Sequence, residues 1–421
     1  METEQPDPID DGLNESVVEA TVHKLEKLGL EFATKTNPKL EKMGFDRFAH
    51  HDKKFTPIDR GEVVHILDDK ERSRILQISR NVILIAFGIG ALSGLASAVA
   101  SFTLSVPEHV TTTFWEDFRD FLIVNGVTIV ATLIEVAILY RVALRAVHLI
   151  AREAGIQLVP RDGLTQSDED RAVALALCRC ALELPNPPEN PFGIDPYREF
   201  SKWRVVISVI IFKLKITLTN FILRIAIRRV GGRAIVKAYL TFTDVFVTGA
   251  WDALVAWRMI RQARVRALGP SACETLLSDI LKGEGAVRRE VFAVMVRAVA
   301  TTIVRSRDVH PNLLALMRAI HRRAGTFELD ELDDGVRFID ALDALEPHER
   351  GLVLEVLVLA SFPDGKVSRA EMAYLETVLA AESRVLDRPA LKALCRAFVR
   401  GERLDRRQIQ DVIDPLPAAA A

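Results

Sequence analysis

The stretch Asn81–Val106, NVILIAFGIGALSGLASAVASFTLSV, decides the fold class because it contains no charged residue. A helix needs about 20 apolar residues to cross the core of a bilayer, so this stretch predicts a transmembrane helix. Gly90, Gly94 and Ala98 recur along it at every fourth position. Small residues at this spacing let a second helix approach closely, and we expect these three to form a helix-packing face.

A second apolar stretch, Phe121–Ala143, follows after a short acidic loop and predicts a second span. Glu135 is its only acidic residue. Basic residues flank the outer ends of the pair: Lys70, Arg72, Arg74 and Arg80 before it, and Arg141, Arg145 and Arg152 after it. Because basic residues concentrate on the cytoplasmic side of membrane proteins, both outer ends of this transmembrane hairpin are expected there.

A second apolar pair, Trp203–Arg229 and Ala234–Arg258, is joined at Gly231 and Gly232. Part of it, FKLKITLT, alternates as a half-buried strand would. Over the longer stretch, polar residues step by three and four, which is the spacing of one helix face. The members of that stripe are Lys213, Thr217, Asn220, Arg224 and Arg228. We therefore predict a second helical hairpin.

Charged residues within these apolar segments are the main candidates for a functional site: Glu135, Lys213, Lys215, Asp244 and Asp252. Intramembrane charges either pair with one another inside a bundle or mark a path for an ion or substrate. The turn RIAIRRVGGRAIVK is strongly basic, however, which is unusual for a loop outside the cytoplasm. The second hairpin could therefore lie on the membrane surface and handle lipid instead of spanning.

Composition excludes several classes of function. The 421 residues carry a net charge of only −2, which predicts no attraction to nucleic acid. Four scattered cysteines form neither a disulfide framework nor a zinc motif, and we interpret them as buried core thiols. No phosphate-binding glycine loop or nucleophile motif is present, so we expect no enzymatic activity, no cofactor and no metal.

The pattern of apolar and charged blocks predicts five regions. They are an N-terminal cytoplasmic helical region with a disordered start (1–75), the transmembrane hairpin (76–150), a cytoplasmic helical insert with a proline-rich connector (151–202), the second membrane or membrane-associated hairpin (203–262) and a C-terminal cytoplasmic helical domain (263–421). The fold class is thus all-α, a polytopic helical membrane protein with cytoplasmic helical domains.

Within the last region, an apolar helix is followed by the turn FPDGKVS and an amphipathic helix. Ser368 and Glu371 have the spacing of a capping box at the start of the second helix. With Asp364, Gly365, Ser368 and Glu371, this segment resembles the repeat unit of tellurite-resistance TerB-like domains. The resemblance implies an all-helical cytoplasmic module associated with membrane and stress-response systems. An EF-hand is disfavoured because Ala360 and Phe362 stand where calcium ligands would be needed.

These observations predict a non-enzymatic membrane scaffold or assembly protein of a bacterial inner membrane, with both termini in the cytoplasm. The expected partners are the lipid bilayer, further copies of the chain and a cytoplasmic protein bound by the C-terminal domain. An ion channel or transporter that uses Glu135, Lys213, Lys215, Asp244 and Asp252 is the first alternative. A membrane-surface protein that handles lipid is the second.

Overall fold

Helices form all the regular secondary structure of the residues that can be described. The structure is a computed structural model, and it describes residues 38–53, 65, 68–103, 114–159, 168–184, 191–194, 196, 236–325 and 332–413. In these ranges the helices are α1 Pro38–Asp52, α2 Asp69–Thr103, α3 Phe114–Glu153, α4 Asp168–Ala181, α5 Val236–Leu281, α6 Arg289–Ser306, α7 Pro311–Ala324, α8 Gly335–Asp343, α9 Pro347–Ala360, α10 Arg369–Ala381, α11 Arg388–Arg400 and α12 Arg406–Ile413. The predicted all-α class is confirmed for this part of the chain.

Three long helices, α2, α3 and α5, form a bundle. They contain 35, 40 and 46 residues, so each is about 50 to 70 Å long. Helix α2 packs mainly along α5 and also against α3. The chain direction of α2 is opposite to that of α5: Arg72, near the start of α2, lines a cavity with Leu268 of α5, whereas the ring of Phe87, further along α2, contacts that of Phe246, with centroids 5.5 Å apart.

The number of candidate membrane spans differs from the prediction. Within the described residues, Asp69–Ala96 alone has the length and apolar character needed to cross a bilayer, and 28% of its most apolar window is buried. The predicted span Phe121–Ala143 falls within α3, but residues 121–129 lie outside those whose side chains the structure describes, so this prediction stays open. The first half of the second hairpin, with Lys213, Lys215, Gly231 and Gly232, lies outside the described residues.

A first hydrophobic core is formed by α1, the start of α2, the end of α3, α4 and the middle of α5. Phe48, Val147, Leu177 and Ile260 are almost fully buried there. Arg179 is also buried and forms an ion pair with Glu41 across α1 and α4. The pair satisfies a charge that would otherwise be costly to remove from water.

The C-terminal helices α6–α12 form a second core together with the end of α5, and we name this part the C-terminal module. Helix α6 contributes a nearly continuous run of buried residues to the core. Helix α5 adds Val265, Leu276 and Ile280. This helix therefore crosses the expected domain limit between residues 262 and 263 without interruption, even though Pro270 lies inside it.

All four cysteines are free and buried, so their interpretation as core thiols is confirmed. Burial raises the pKa of the Cys178 and Cys273 thiols to about 12 and that of Cys395 to about 11. Because the thiolate is the reactive form, these side chains behave as small apolar groups and not as nucleophiles.

Candidate functional site

Two of the charged residues selected from the sequence come together inside the bundle. The carboxyl of Asp252 on α5 lies next to that of Glu135 on α3, close enough for the two groups to interact, and we name these two side chains the carboxyl pair. Asp252 is 8% exposed, and its Oδ2 atom has no hydrogen-bond partner among the described residues. Asp244 lies on the same helix, about two turns before Asp252.

The predicted small-residue face points toward the interior of the bundle. Gly90, Gly94 and Ala98 are all buried. A Cβ atom at Gly90 would lie 2.5 Å from Asp252 Oδ2 and 2.9 Å from the carbonyl oxygen of Thr248. The absence of a side chain at Gly90 is thus what lets α2 approach α5 at the level of the carboxyl pair.

The glycine contact is reciprocal. On α5, a Cβ atom at Gly249 would lie 2.9 Å from the carbonyl oxygen of Phe87. Each helix therefore presents one glycine to the backbone of the other within a single turn. Such paired small residues fix both the distance between the helices and their register.

The turn between α9 and α10 holds the residues that resemble a TerB-like repeat. Ser368 Oγ accepts a hydrogen bond from the Glu371 amide at 3.1 Å, and Glu371 Oε2 accepts one from the Ser368 amide at 2.6 Å. The predicted capping box is therefore present. Asp364 Oδ1 accepts a hydrogen bond from the Lys366 amide at 2.9 Å, which closes the turn.

Gly365 has a φ of +80°, a conformation that favours glycine. It also lies close to α5, since a Cβ atom there would be 2.9 Å from Val265 Cγ2. The two carboxyls of the turn are almost completely buried. Burial raises the pKa of Asp364 to about 6 and that of Glu371 to about 7, so both titrate near neutral pH.

Two residues that sequence reasoning missed connect this turn to α5. The Asn312 side-chain amide, at the start of α7, donates to the carbonyl oxygens of Val265 at 2.8 Å and Pro363 at 2.7 Å. Arg261 Nη2 donates to the Gly365 carbonyl oxygen at 2.6 Å. Asn312 is fully buried, so its bonds have no competition from water.

The contacts of α5 continue on the other side of the turn. Arg264 donates to the carbonyl oxygen of Val399 near the end of α11. His310, which caps α7 through Asn312, is buried, and its burial lowers its pKa well below the usual range. The turn between α9 and α10 thus serves as an attachment point for α5. In the part of the chain that can be described, no three His, Cys, Asp or Glu side chains converge in a way that could hold a metal ion.

A comparison of the chain with protein-family models, curated proteins and solved structures found no match to any of them. The TerB-like resemblance therefore stays a prediction that rests on Asp364, Gly365, Ser368 and Glu371.

Proposed function

We propose that the chain is a membrane-embedded scaffold in which the α2–α3–α5 bundle lies in the bilayer and the C-terminal module binds a cytoplasmic protein. The main support is the distribution of exposed apolar side chains. All but three of the exposed large apolar residues described lie on these three helices. We name all of these except Leu76, which lies near the start of α2, the apolar belt: Leu84, Ile85, Leu92, Leu95, Val99, Val130, Leu133, Ile134, Val136, Ile138, Phe246, Trp251, Leu254 and Trp257.

At the level of the apolar belt, small residues and a carboxyl group occupy the interior of the bundle. Gly90, Gly249 and the carboxyl of Asp252 are buried there, while leucines of the apolar belt face outward. A water-soluble bundle buries its large apolar side chains and exposes its charges. Large continuous apolar surfaces mark sites of contact with a membrane or a protein, and small residues inside with apolar ones outside suit a bilayer.

The C-terminal module has the ordinary pattern of a protein in water. Its leucines and valines are buried, and its surface carries ion pairs such as Arg288 with Glu349 and Arg388 with Glu376. Helix α5 belongs to both the bundle and the module, and Arg261 and Asn312 attach the module to it. A scaffold needs such a fixed connection between its anchor and its binding surface.

Matched cysteine variants test this proposal. Leu92 in the apolar belt and Val336 on α8 are similarly exposed, at 68% and 71%. In sealed inside-out vesicles, whose outer surface is the cytoplasmic face, a membrane-impermeant maleimide should label Val336→Cys and spare Leu92→Cys until detergent is added. The native cysteines are buried and give a low background. Equal labelling of the two variants without detergent, or extraction of the protein by alkaline carbonate, would refute membrane insertion.

The carboxyl pair favours one alternative, an ion channel or transporter. Two neighbouring carboxyls, Glu135 and Asp252, inside an apolar bundle form the type of site that can carry protons or cations. Glu135→Gln and Asp252→Asn separate the two functions. In liposomes, a scaffold would lose assembly or yield with no change in ion flux, because the pair only fixes packing. A transporter would assemble normally and lose its flux.

A further inference from the structure

Three exposed arginines lie where the apolar belt ends, one on each helix of the bundle. Arg80 precedes Leu84 on α2, Arg141 follows Ile138 on α3, and Arg258 directly follows Trp257 on α5. Each is the first basic residue next to the belt on its helix. We name these three the arginine ring.

Contacts inside the bundle place Arg141 and Arg258 at one level. Helices α3 and α5 both run from the apolar belt toward the first core, and Glu135 lies next to Asp252. Arg141 and Arg258 each follow their carboxyl by six residues, which is about 9 Å along a helix. They therefore lie at the same distance from the carboxyl pair.

The contact of α2 with α5 brings Arg80 to this level as well. Gly90 lies against the carbonyl oxygen of Thr248, and the two helices run in opposite directions. Arg80 comes ten residues before Gly90, and Arg258 comes ten residues after Thr248. The two offsets are equal, about 15 Å along each helix. All three arginines thus mark one boundary of the apolar belt.

Their charges are available for a ligand. The described ion pairs at this end of the bundle involve other arginines, Arg72 with Asp69 and Arg74 with Glu153. Trp257 adds an aromatic ring next to Arg258, and it is 47% exposed. Tryptophan and arginine together are typical of the headgroup level of a bilayer. A guanidinium can also donate two parallel hydrogen bonds to a phosphate.

We propose that the arginine ring binds the headgroup phosphates of anionic phospholipids at the cytoplasmic face of the membrane. This inference rests on the proposed insertion of the bundle. Charge complementarity selects the ligand, because three exposed cations, for which the described residues provide no ion-pair partner, border an apolar surface that acyl chains would cover. Free phosphate could bind the three arginines but would leave the apolar belt uncovered, whereas a phospholipid provides both a phosphate and acyl chains.

Quenching of Trp257 by brominated lipid provides the test. The reporter protein keeps Trp257 as its single tryptophan, with Trp115, Trp203 and Trp251 replaced by Phe. It is reconstituted in vesicles of phosphatidylcholine and phosphatidylglycerol with one of the two lipids brominated. We expect phosphatidylglycerol to be favoured about fivefold beside Trp257, because the neighbouring Arg258 contributes about 1 kcal/mol at the membrane surface. The triple variant Arg80→Gln, Arg141→Gln, Arg258→Gln should bring the ratio close to one.

A control variant removes equal charge from the C-terminal module, at the exposed residues Arg369, Arg403 and Arg407. It should keep the fivefold preference. Should the triple variant fail to fold, Arg258→Gln alone and 1 M salt must each lower the ratio, because salt screens exposed charges. An unchanged ratio in the variants, or an equal loss in the control, overturns the arginine ring.

Free phosphate at millimolar concentration should not change the ratio, and displacement of the lipid by it would also overturn the proposal. If brominated phosphatidylcholine fails to quench Trp257 at all, the insertion of the bundle is wrong instead.

Discussion

Gly90 of α2 and Asp252 of α5 are so close that a Cβ atom at Gly90 would lie 2.5 Å from the Asp252 carboxyl oxygen. The Thr248 carbonyl, 2.9 Å from the same point, belongs to the backbone and cannot rotate away. The two helices must therefore separate to admit even a methyl group.

We predict that Gly90→Ala destabilises the protein by about 1 to 3 kcal/mol, the usual cost of overpacking. Thermal unfolding in detergent measures this change. Gly88→Ala, on the same helix, is the control because no atom lies within 4 Å of its Cβ position. It should leave stability unchanged or raise it by about 0.5 to 1 kcal/mol through helix propensity. Equal melting temperatures for the two variants would contradict the close contact.

The contact of α5 with Asn312 predicts a larger effect. A Cβ atom at Gly269 would lie 1.9 Å from the Asn312 amide nitrogen. Gly269→Ala should displace the amide from the Val265 and Pro363 carbonyls and cost about 2 to 4 kcal/mol. Gly351→Ala on α9 is the control, since its nearest neighbour would be an arginine side-chain nitrogen 3.8 Å away.

A double variant isolates the mechanism. In Gly269→Ala with Asn312→Ala the clash is gone, so the combined loss of stability should be smaller than the sum of the single losses. Additive losses would show that the damage from Gly269→Ala arises elsewhere.

The buried carboxyl of Glu371 predicts a dependence of stability on pH. Burial raises its pKa from 4.5 to about 7, so the folded protein holds this proton more tightly than the unfolded chain does. The resulting stability is fully present below pH 4.5 and is lost as the pH rises through 7. Glu371→Gln removes this loss and keeps a side-chain oxygen for the capping box.

The variant should match the parent protein at pH 4.5 and exceed its stability by about 2 to 3 kcal/mol at pH 8. Melting temperatures at both pH values test this difference. Glu376→Gln, on the same helix, should gain nothing at pH 8, because the carboxylate of Glu376 accepts hydrogen bonds from Arg388 at the surface. A parallel shift of the Glu371→Gln and parental curves would disprove the assignment.

The ion pairs of α12 predict that losing the cation of a buried pair destabilises the protein more than losing the cation of an exposed pair. Arg406 donates to both oxygens of Glu355, at 2.7 and 3.1 Å, and to Glu284 at 2.9 Å. Glu355 is 7% exposed. Arg406→Met leaves this carboxylate buried without its cation, and we expect a loss of about 3 kcal/mol.

Arg400→Met breaks the surface pair with Glu402 and serves as the comparison. Its loss should stay below about 1 kcal/mol. Adding Glu355→Gln to Arg406→Met should recover part of the stability, measured by denaturant unfolding. No recovery would indicate that Arg406 acts through packing and not through its charge.

Local patterns in the sequence were sufficient for the elements whose causes are local. The uncharged run after Arg80 places α2, and the spacing of Ser368 and Glu371 gives the capping box. The small residues Gly90, Gly94 and Ala98 share a buried face because helical periodicity alone puts them there.

Features that depend on contacts between distant segments could not be derived in this way. Nothing near Asn312 indicates that its amide reaches α5, because that bond follows from the packing of the whole module. The common level of the arginine ring needs the register of three helices, which Gly90 and Glu135 determine together. The continuity of α5 was missed because the gain in charge after Arg258 suggested a domain limit. The helix instead continues without a break from the bundle into the C-terminal module.

The part of α5 from Arg258 to Leu281 follows the apolar belt and extends about 35 Å into the C-terminal module. With the belt in a bilayer, the module is confined to a thin layer beside the membrane. Its partners then meet it by diffusion in two dimensions, and a low affinity in free solution is compatible with lasting association at the surface.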